Sequence, residues 1–415
     1  MPAVNHQNLS KPAESDQLIR IKSKLHLLKC PRCPGPTARL TPGESALLCP
    51  QCHSQYPIVN GIPVFSVRSD SLEIVESRKT ISKYSVTKWR RWLELLLRTV
   101  VGTPLWLAFL IYLSVAKRRN FLFQWRTACA PEVAKWLSVR WVAFTPYNLY
   151  LKALETNLFS KVELPSPSLE IGGGGGDTSR LVFAGKRVDI DCEYFYHNIA
   201  LHAARGVDVH AVTDLHIGGS VYNLPCEDAS FNSAVMIHIA DHLVDIETAF
   251  QELSRVLRPG GILALSTYSG YVFEYLPLFR LLRPLSEDLA NRYRVWKCHR
   301  NSVWSSYGSL ISDNPEDANG QNLYTISQWE QLGARHGLEL IQSRPFTVAK
   351  VYTTLVDFHF RGDSRIFRVP IRRCISHFVE SELAAPDTLS ESEASNIFMV
   401  FRRQDGSMPS PPLGP

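Results

Sequence analysis

The sequence lacks the features of secreted, collagen-like and wholly disordered proteins. Its first residues, MPAVNHQNLSKPAESDQ, contain no apolar core of a secretory signal peptide and are typical of a polar tail. The nine cysteines are an odd number, which argues against a complete disulfide framework. With 45% hydrophobic and 20% charged residues, a chain of 415 residues can bury a substantial core in two or three domains. We therefore expect a globular protein of the reducing cytoplasm.

Two CxxC pairs near the amino terminus predict a metal site. Cys30 and Cys33 form one pair, Cys49 and Cys52 form the other, and residues 34–48 separate them. Each CxxC turn presents two thiolates, and two such turns close a tetrahedron around Zn²⁺ with no open position for water. The site is therefore expected to be structural, because so small a segment cannot fold by apolar burial alone. Chance pairs or a redox dithiol are the alternative interpretation.

The residues around these cysteines resemble a known family. The sequence reads LKCP at 28–31, LCPQC at 48–52 and YPIVNGIPV at 56–64. These stretches are similar to the small zinc-ribbon activator subunit of eukaryotic tRNA and protein methyltransferases and to its bacterial relatives. In that family the module stabilises a methyltransferase partner. The resemblance implies that here the partner is the rest of the same chain.

A run of glycines follows a short buried-strand pattern in the middle of the chain. The strand pattern Leu169–Ile171 precedes Gly172–Gly176, and a helix begins after them. Glycines between a strand and a helix let the backbone approach a ligand without Cβ clashes. Val188–Asp191 then predicts a second strand that ends in an acid, and a carboxylate there can accept hydrogen bonds from both hydroxyls of a ribose. Short apolar runs alternate with helical patterns throughout 161–275, which is typical of βαβ units and a parallel sheet.

Further blocks follow in a fixed order: LPCEDASFN at 224–232, a strand at 233–237, IADHL at 239–243, an amphipathic helix, and RPGG at 258–261. Over residues 168–267 this succession resembles the class I S-adenosylmethionine-dependent methyltransferases, in the broad group that includes the ubiquinone/menaquinone-type C-methyltransferases. The resemblance implies an α/β fold, a Rossmann-like seven-stranded methyltransferase sheet with an N-terminal zinc ribbon and a helical insertion. A dinucleotide-binding fold explains these blocks less well, because the Leu-Pro and RxLxPGG blocks have no role in it.

The resemblance also implies which residues hold S-adenosylmethionine. Glu170 and alternate glycines line its methionine end, and Asp189 holds the ribose, with Asp191 as the alternative one pleat further on. The acid that meets the adenine is missing from its usual place, where Ser220 stands, and Asp214 is the candidate further back. The predicted cofactor-binding residues are Glu170, Gly172, Gly174, Gly176, Asp189, Asp191, Asp214 and Leu224.

The sequence departs from the family pattern at two further positions. Asn232 replaces the usual Asp after Phe231, and Cys226 replaces an aromatic residue after Leu-Pro. A degenerate fold that has lost its cofactor is therefore an alternative to an enzyme. The intact glycine run and the strand-end acids favour the enzyme.

Methyl transfer from a sulfonium needs alignment of nucleophile and methyl more than it needs a catalytic group. A general base is required only when the nucleophile has a proton to lose. His238, Asp241 and His242 follow the fourth predicted strand, at the sheet edge where ligands bind in such folds. His238 and His242 are therefore the candidate catalytic residues, and a structural or cofactor-adjacent histidine is the alternative.

A basic, Trp-rich segment precedes the core. Residues 78–140 contain thirteen Lys or Arg and two acids, and Thr99–Ala116 has eighteen residues without a charge. An anionic membrane surface, a buried lid over the active site and a nucleic-acid surface are three interpretations of it. They correspond to a lipid or lipid-linked acceptor, a small-molecule acceptor and an RNA acceptor. A true membrane span is disfavoured, because it would separate the ribbon from the core on which it should dock.

Six segments follow from these observations. They are a disordered tail (1–24), the zinc ribbon (25–70), a basic Trp-rich helical segment (71–160), the S-adenosylmethionine-binding core (161–275), a substrate-side region with the last strands (276–405) and a second disordered tail (406–415). The prediction is a cytoplasmic methyltransferase, peripheral to the inner face of a membrane if the basic segment binds lipid. Its acceptor is a small molecule, a lipid or a lipid-linked compound, with an RNA methyltransferase and a non-catalytic scaffold as alternatives.

Overall fold

The computed structural model describes residues 14–33, 39–43, 45–65, 146–173, 188–193, 213–243, 245–291, 293, 322–357, 378–379, 381–384 and 388–405. The α-helices in these ranges are α1 (Glu14–Lys24), α2 (Pro146–Phe159), α3 (Ile246–Val256), α4 (Pro277–Leu282), α5 (Ile326–Arg335) and α6 (Ala349–Asp357). The strands are β1 (Thr41–Pro42), β2 (Ala46–Leu48), β3 (Gln55–Val59), β4 (Ile62–Pro63), β5 (Ser168–Ile171), β6 (Val188–Glu193), β7 (Thr213–Gly218), β8 (Phe231–Ile237), β9 (Leu257–Tyr268), β10 (Leu338–Val348) and β11 (Ala394–Arg403).

A seven-stranded sheet forms the centre of the molecule, in the order β10-β11-β9-β8-β5-β6-β7. Strands β5 to β9 are parallel, and β11 pairs antiparallel with both β9 and β10. All four residues of β5 are buried, as expected for a central strand covered on both faces. The chain runs outward from β5 to β7 and then returns to β8 beside β5. This reversal makes the gap between β5 and β8 the switch point at which ligands bind in open α/β sheets.

Apolar clusters cover the two faces of this sheet. On one face, Phe250 of α3 stacks on Trp329 of α5 with ring centroids 5.7 Å apart. On the other face, Phe159 of α2 meets Phe398 of β11 edge-on at 4.9 Å. Thr325 and Gln328 cap the start of α5 with a reciprocal capping box. The predicted strands and the predicted amphipathic helix after Asp245 are confirmed.

The amino-terminal ribbon is a four-stranded antiparallel sheet in the order β1-β2-β3-β4. It continues the central sheet beyond β7, because Val64 pairs in parallel with Gly218 and the Phe65 amide donates to the Gly218 carbonyl at 2.7 Å. A second seam joins Leu28 to Cys226 in an antiparallel bridge. Buried residues of the ribbon and of the central sheet share one apolar cluster. The ribbon therefore covers the β7 edge of the sheet, in agreement with the docking that the family resemblance implied.

An ion-pair cluster fixes α1 to the sheet at the edge where the parallel strands begin. Lys24 Nζ lies 2.5 Å from Asp189 Oδ1 and 2.9 Å from Asp214 Oδ2. Asp189 and Asp214 are the second residues of β6 and β7, respectively. The cluster therefore ties the helix that precedes the ribbon to two strands of the central sheet.

No helix in the described ranges is long and apolar enough to cross a membrane. Several predicted stretches lie outside the described residues: Thr99–Ala116, the rest of the basic Trp-rich segment before Pro146, the first part (1–13) of the tail predicted over 1–24, and the tail at 406–415. The rest of the first tail is not disordered as predicted, because residues 14–24 form the helix α1. The helical insertion and its three interpretations therefore stay predictions.

Replacing Lys24 with Met should lower the free energy of unfolding by about 1–3 kcal/mol, because two half-buried carboxylates lose their cation. Burial raises the pKa of Asp189, but hydrogen bonds from Lys24 and two serines outweigh it and hold the pKa below the ordinary value of about 3.9. The stabilisation is therefore complete above about pH 4 and is lost as the pH falls through the lowered pKa. Urea unfolding at pH 7 and at pH 3 measures this difference, which should shrink at pH 3.

Lys22→Met is the matched control, because Lys22 is exposed on the same helix. An equal destabilisation in both variants, or a Lys24→Met effect that does not change with pH, would contradict this role of the ion-pair cluster.

Candidate active site and metal site

The glycine loop begins where β5 ends, at the edge shared by the carboxyl ends of the parallel strands. Gly172 has φ +74°, and a Cβ there would lie 2.7 Å from the Ile239 side chain. A Cβ on Gly173 would lie 2.6 Å from the carboxylate of Glu170. Gly172 therefore requires glycine for its positive φ, whereas at Gly173 the end of the flexible Glu170 side chain would have to move. Gly174 and Gly176 lie outside the described residues.

Asp191 lies at this edge and holds the start of the glycine loop. Its Oδ1 accepts a hydrogen bond from the Gly173 amide at 3.0 Å, and its Oδ2 lies 3.0 Å from His216 Nδ1. Both side chains are almost fully buried. Glu193 is the last residue of the same strand. Sequence analysis did not select Glu193, although its even spacing from Asp189 and Asp191 was a usable signal.

The structure places Asp189 and Asp214 away from the glycine loop, unlike the sites predicted for them. Both lie near the beginning of their strands, at the edge opposite to the glycine loop, and both are paired with Lys24. Asp189 Oδ2 also accepts hydrogen bonds from the Ser168 amide at 2.8 Å and from Ser166 Oγ at 2.7 Å. Ligands bind beyond the carboxyl ends of parallel strands, so these two acids serve the packing of α1 instead of a cofactor.

The turn at Leu224 and Pro225, called the Leu-Pro turn below, is held by Arg255 and Glu252 of α3. Leu224 is buried, its amide donates to Glu252 Oε2 at 2.7 Å, and its carbonyl accepts from Arg255 Nη2 at 2.9 Å. Arg255 Nη1 also donates to the Cys226 carbonyl at 2.8 Å. Cys226 is fully buried at the seam with the ribbon. The turn that carries Leu224 is thus fixed from α3 on one side and from the ribbon on the other.

Asn232, the other departure from the family pattern, has a role that Asp could not fill. Its Nδ2 donates to the Ser166 carbonyl at 2.6 Å, while its Oδ1 accepts from Arg258 Nη1 at 3.2 Å. A carboxylate accepts hydrogen bonds and cannot donate one, so Asp would leave the Ser166 contact unmade. This departure therefore concerns the packing at the start of β8 and does not indicate loss of a cofactor.

His238 follows β8 directly and lies at the carboxyl edge of the sheet. Its backbone has φ +53°, an uncommon value for a histidine, and its amide donates to the Ser266 carbonyl at 2.9 Å. Its ring meets the Tyr268 ring edge-on at 5.0 Å. Its Nε2 lies 3.2 Å from Glu155 Oε1, and the His238 side chain is only 14% exposed.

Glu155, on α2, is a buried acid beside His238 that sequence analysis did not select. It is fully buried, accepts a hydrogen bond from Ser266 Oγ at 2.5 Å, and lies 2.5 Å from Lys152 Nζ. Burial raises the pKa of this carboxyl group, but the charges of Lys152 and His238 outweigh burial and lower the pKa to about 2. Glu155 is therefore an ionised carboxylate beside His238. The sequence offered one signal for this residue, because it is an acid within the otherwise mostly apolar helical stretch YLKALETNLF.

The other predicted residues after β8 form a short turn. Ala240–His242 is a 3₁₀ helix whose ends are held by Asn322, since Asn322 Nδ2 donates at 2.8 Å to the carbonyls of Ala240 and Leu243. Asp241 is fully buried, with Thr267 Oγ1 3.4 Å from its Oδ1. The backbone of His242 ends this turn. The structure thus brings His238 to the glycine loop through Ile239, and it places Asp241 in a packing role.

The four cysteines of the ribbon converge on one point. All four sulfurs lie within 4.8 Å of one another, with Cys30 to Cys52 at 3.6 Å and Cys33 to Cys49 at 3.7 Å. Four sulfurs about 2.3 Å from a central ion form a tetrahedron with edges of about 3.8 Å. Tyr56 Oη lies 2.9 Å from Cys30 Sγ and orients that thiol from outside the cluster. The donor set and its spacing fit a four-thiolate metal site.

Residues 169–265 match a family model described as a methyltransferase domain. No curated protein sequence matches the chain. Similar solved structures include a chain of the Haloferax volcanii complex between the Trm112 methyltransferase activator and a methyltransferase, at 13% identity over 66% of this chain and 96% of that chain, with a TM-score of 0.37. Others are Haemonchus contortus phosphoethanolamine N-methyltransferase 2 with S-adenosyl-L-methionine (14% identity, 69% and 60% coverage, TM-score 0.37) and the YcgJ protein of Bacillus subtilis (15%, 60% and 97%, 0.34).

The assignment rests on the strand order and on the matched residues. Five parallel strands with a switch point between β5 and β8, followed by the antiparallel β11, are the sheet that the sequence resemblance implied. The family match covers the strands and the loop at that switch point. Together they show that residues 169–265 match a methyltransferase domain and that the described strands form a Rossmann-like seven-stranded sheet.

Proposed function

We propose that the protein transfers the methyl group of S-adenosylmethionine to a small-molecule or lipid-like acceptor by in-line displacement. The observation that carries this proposal is the enclosure of the polar groups at the switch point. His238 is 14% exposed and Glu155 is fully buried, so an acceptor that reacts beside them has to enter the fold. A small group or the end of a lipid can do so more readily than a base within folded RNA.

The cofactor cradle consists of residues at the carboxyl ends of β5 and β6. Gly172 and Gly173 carry no side chains, which suits close backbone approach to the methionine end, and Gly174 and Gly176 belong to the same predicted set. Asp191 is the acid that we assign to the ribose side, because it lies at this edge and already binds the loop. Glu170 and Leu224 complete the proposed cofactor-binding set.

The chain's own contribution to the chemistry is alignment. When bound, S-adenosylmethionine supplies a methyl group on a positively charged sulfur, which is an excellent leaving group. The loop holds that group at the edge of β5, and residues beyond β8 and β9 hold the acceptor in line with it. Burial of these residues excludes water, which would otherwise compete as a nucleophile.

The acceptor side is aromatic and apolar in the described ranges. Tyr268 at the end of β9 and Tyr352 of α6 place their hydroxyl oxygens 3.1 Å apart. Leu276 and Phe279 are buried nearby, after β9. The Lys152 ammonium is paired with Glu155, so this cation would not serve a nucleic-acid backbone. These features favour a lipid-like or small organic acceptor over RNA, which depends on phosphate contacts.

We also propose that the ribbon holds one structural Zn²⁺ ion through Cys30, Cys33, Cys49 and Cys52. The support is the tetrahedral spacing of the sulfurs and the preference of Zn²⁺ for four thiolates in closed sites. Because the ribbon shares an apolar cluster with the central sheet, the ion would also stabilise the catalytic domain.

Asp191→Asn should weaken S-adenosylmethionine binding at least about tenfold, because it removes the charge that faces the ribose side and loosens the loop. Isothermal titration calorimetry measures this affinity. Asp189→Asn is the matched control on the same strand face and should leave the affinity within about twofold, since Asp189 faces Lys24 at the opposite edge. A larger loss with Asp189→Asn than with Asp191→Asn would reverse the assignment.

Cys33→Ser should reduce the bound zinc to well under one ion per chain and lower the melting temperature. Losing one ligand of a closed four-thiolate site removes much of the metal's binding energy. Elemental analysis and differential scanning fluorimetry measure the two effects. Cys298→Ser, at a cysteine outside both CxxC pairs, is the control, and equal zinc contents in the two variants would argue against the site.

The acceptor class is tested with S-adenosylmethionine that carries a radiolabelled methyl group. The protein is incubated with a cell extract that has been separated into lipid, small-molecule and RNA fractions. Label in the lipid or small-molecule fraction is expected. Label confined to RNA would support the RNA alternative, and absence of both label and cofactor binding would support a non-catalytic scaffold.

A further inference from the structure

We propose that Glu155 and His238 form a base dyad that removes a proton from the methyl acceptor. In it, His238 is the catalytic base and Glu155 is the positioning residue that fixes its protonation. This inference rests on the proposed methyl transfer and narrows the acceptor to one whose nucleophilic atom carries both a lone pair and a dissociable proton, such as a hydroxyl oxygen.

The first observation is the state of Glu155. Two polar side chains donate to its two oxygens, Ser266 Oγ to Oε1 and Lys152 Nζ to Oε2. A fully buried carboxylate is costly unless it is paired, and here the pairing is built from two elements, α2 and β9. Ser266 fixes the carboxylate, and the same Oε1 atom lies 3.2 Å from His238 Nε2. Glu155 is thus a charged group held in place against one nitrogen of the imidazole.

The second observation is the state of the His238 ring. Nε2 is within ion-pair distance of Glu155 without a completed hydrogen bond, and Nδ1 is buried with no hydrogen-bond partner among the residues that the structure describes. Buried polar atoms are usually satisfied, so an unsatisfied ring nitrogen calls for a ligand. Contacts of this kind often tighten only when substrate is bound.

The third observation is the backbone of His238. Its φ of +53° is a costly conformation for a residue with a bulky side chain, and strained residues concentrate at active sites. The hydrogen bond from the His238 amide to the Ser266 carbonyl fixes this bend, and the Ser266 hydroxyl donates to Glu155. One residue of β9 therefore positions both members of the pair. The bend also places Ile239 against Gly172, so His238 adjoins the loop assigned to the methionine end of the cofactor.

These contacts define the direction of proton movement. The nitrogen that faces a carboxylate carries the hydrogen, so Nε2 is protonated and Nδ1 offers its lone pair. The acceptor's X–H proton passes to Nδ1 as the X–CH₃ bond forms and the CH₃–S bond breaks. The electron pair of that bond stays on sulfur, which becomes a neutral thioether. The imidazolium that results is stabilised by Glu155 until the proton leaves to solvent.

A spectroscopic experiment tests the dyad without any acceptor. Long-range ¹H–¹⁵N spectra of ¹⁵N-histidine-labelled protein, assigned with His238→Asn, report which ring nitrogen carries the hydrogen. The Nε2–H tautomer is expected in the wild type, with a mixture of tautomers in Glu155→Gln. Asn suits the assignment variant, because it tolerates a positive φ better than most residues. A hydrogen on Nδ1 in the wild type would overturn the proposal.

A kinetic experiment tests the base itself, with the extract fraction that accepts label as the probe. Single-turnover methyl transfer should fall about a hundredfold or more in His238→Asn and at least about tenfold in Glu155→Gln, the range for loss of general-base catalysis. Calorimetry with S-adenosylmethionine should give affinities within about twofold of wild type, which shows that the cradle is intact. Unchanged rates in both variants would overturn the proposal.

A second histidine–glutamate pair serves as the control. His336 Nε2 lies 2.6 Å from Glu247 Oε2, Glu247 is half exposed on α3, and neither residue belongs to the proposed site. His336→Asn and Glu247→Gln should therefore leave the rate unchanged.

If the wild type binds no S-adenosylmethionine, the proposed function fails. The tautomer measurement then still decides whether the dyad exists.

Discussion

The parallel pairing of β5 with β6 and β8 is the constraint on which the rest of the structure depends. It brings Ile171, Glu193 and Ile237, the last residues of three strands, to one edge of the sheet. Any ligand site at that edge takes its residues from the segments that follow those strands. The glycine loop, Asp191 and His238 meet for this reason, although up to 66 positions separate them in the sequence. A one-residue slip in the register would turn Asp191 to the other face.

The ribbon is joined to the β7 edge of the same sheet that carries this site. Its last residues, Val64 and Phe65, extend the sheet at the end of β7, and its seam with Cys226 supports the Leu-Pro turn. Lys24 adds a third attachment at the opposite edge. A metal that orders the ribbon would therefore order β7 and the turn that carries Leu224. These contacts couple the four-cysteine ribbon to the central sheet within a single chain.

The residues that could be predicted from the sequence were those with local signals. Glycine runs, CxxC turns and amphipathic helices can be recognised within a few positions, and the ribbon, β5 and α3 all follow from such patterns. Asp189 illustrates the limit, because its role depends on which end of β6 it occupies and on a lysine 165 positions away. Glu155 and His238 are 83 positions apart, so their contact is a product of the tertiary fold. A short-range pattern could not reveal it.

The central claim, that the edge above β5 and β6 holds an adenosyl sulfonium, is tested most directly by a crystal structure of the zinc-loaded protein with S-adenosylhomocysteine. The account predicts ligand density against the backbone of Gly172 and Gly173, with the ribose hydroxyls toward the carboxyl end of β6. Density at the opposite edge, beside Lys24, or a glycine loop that stays unchanged and empty at saturating ligand would contradict it.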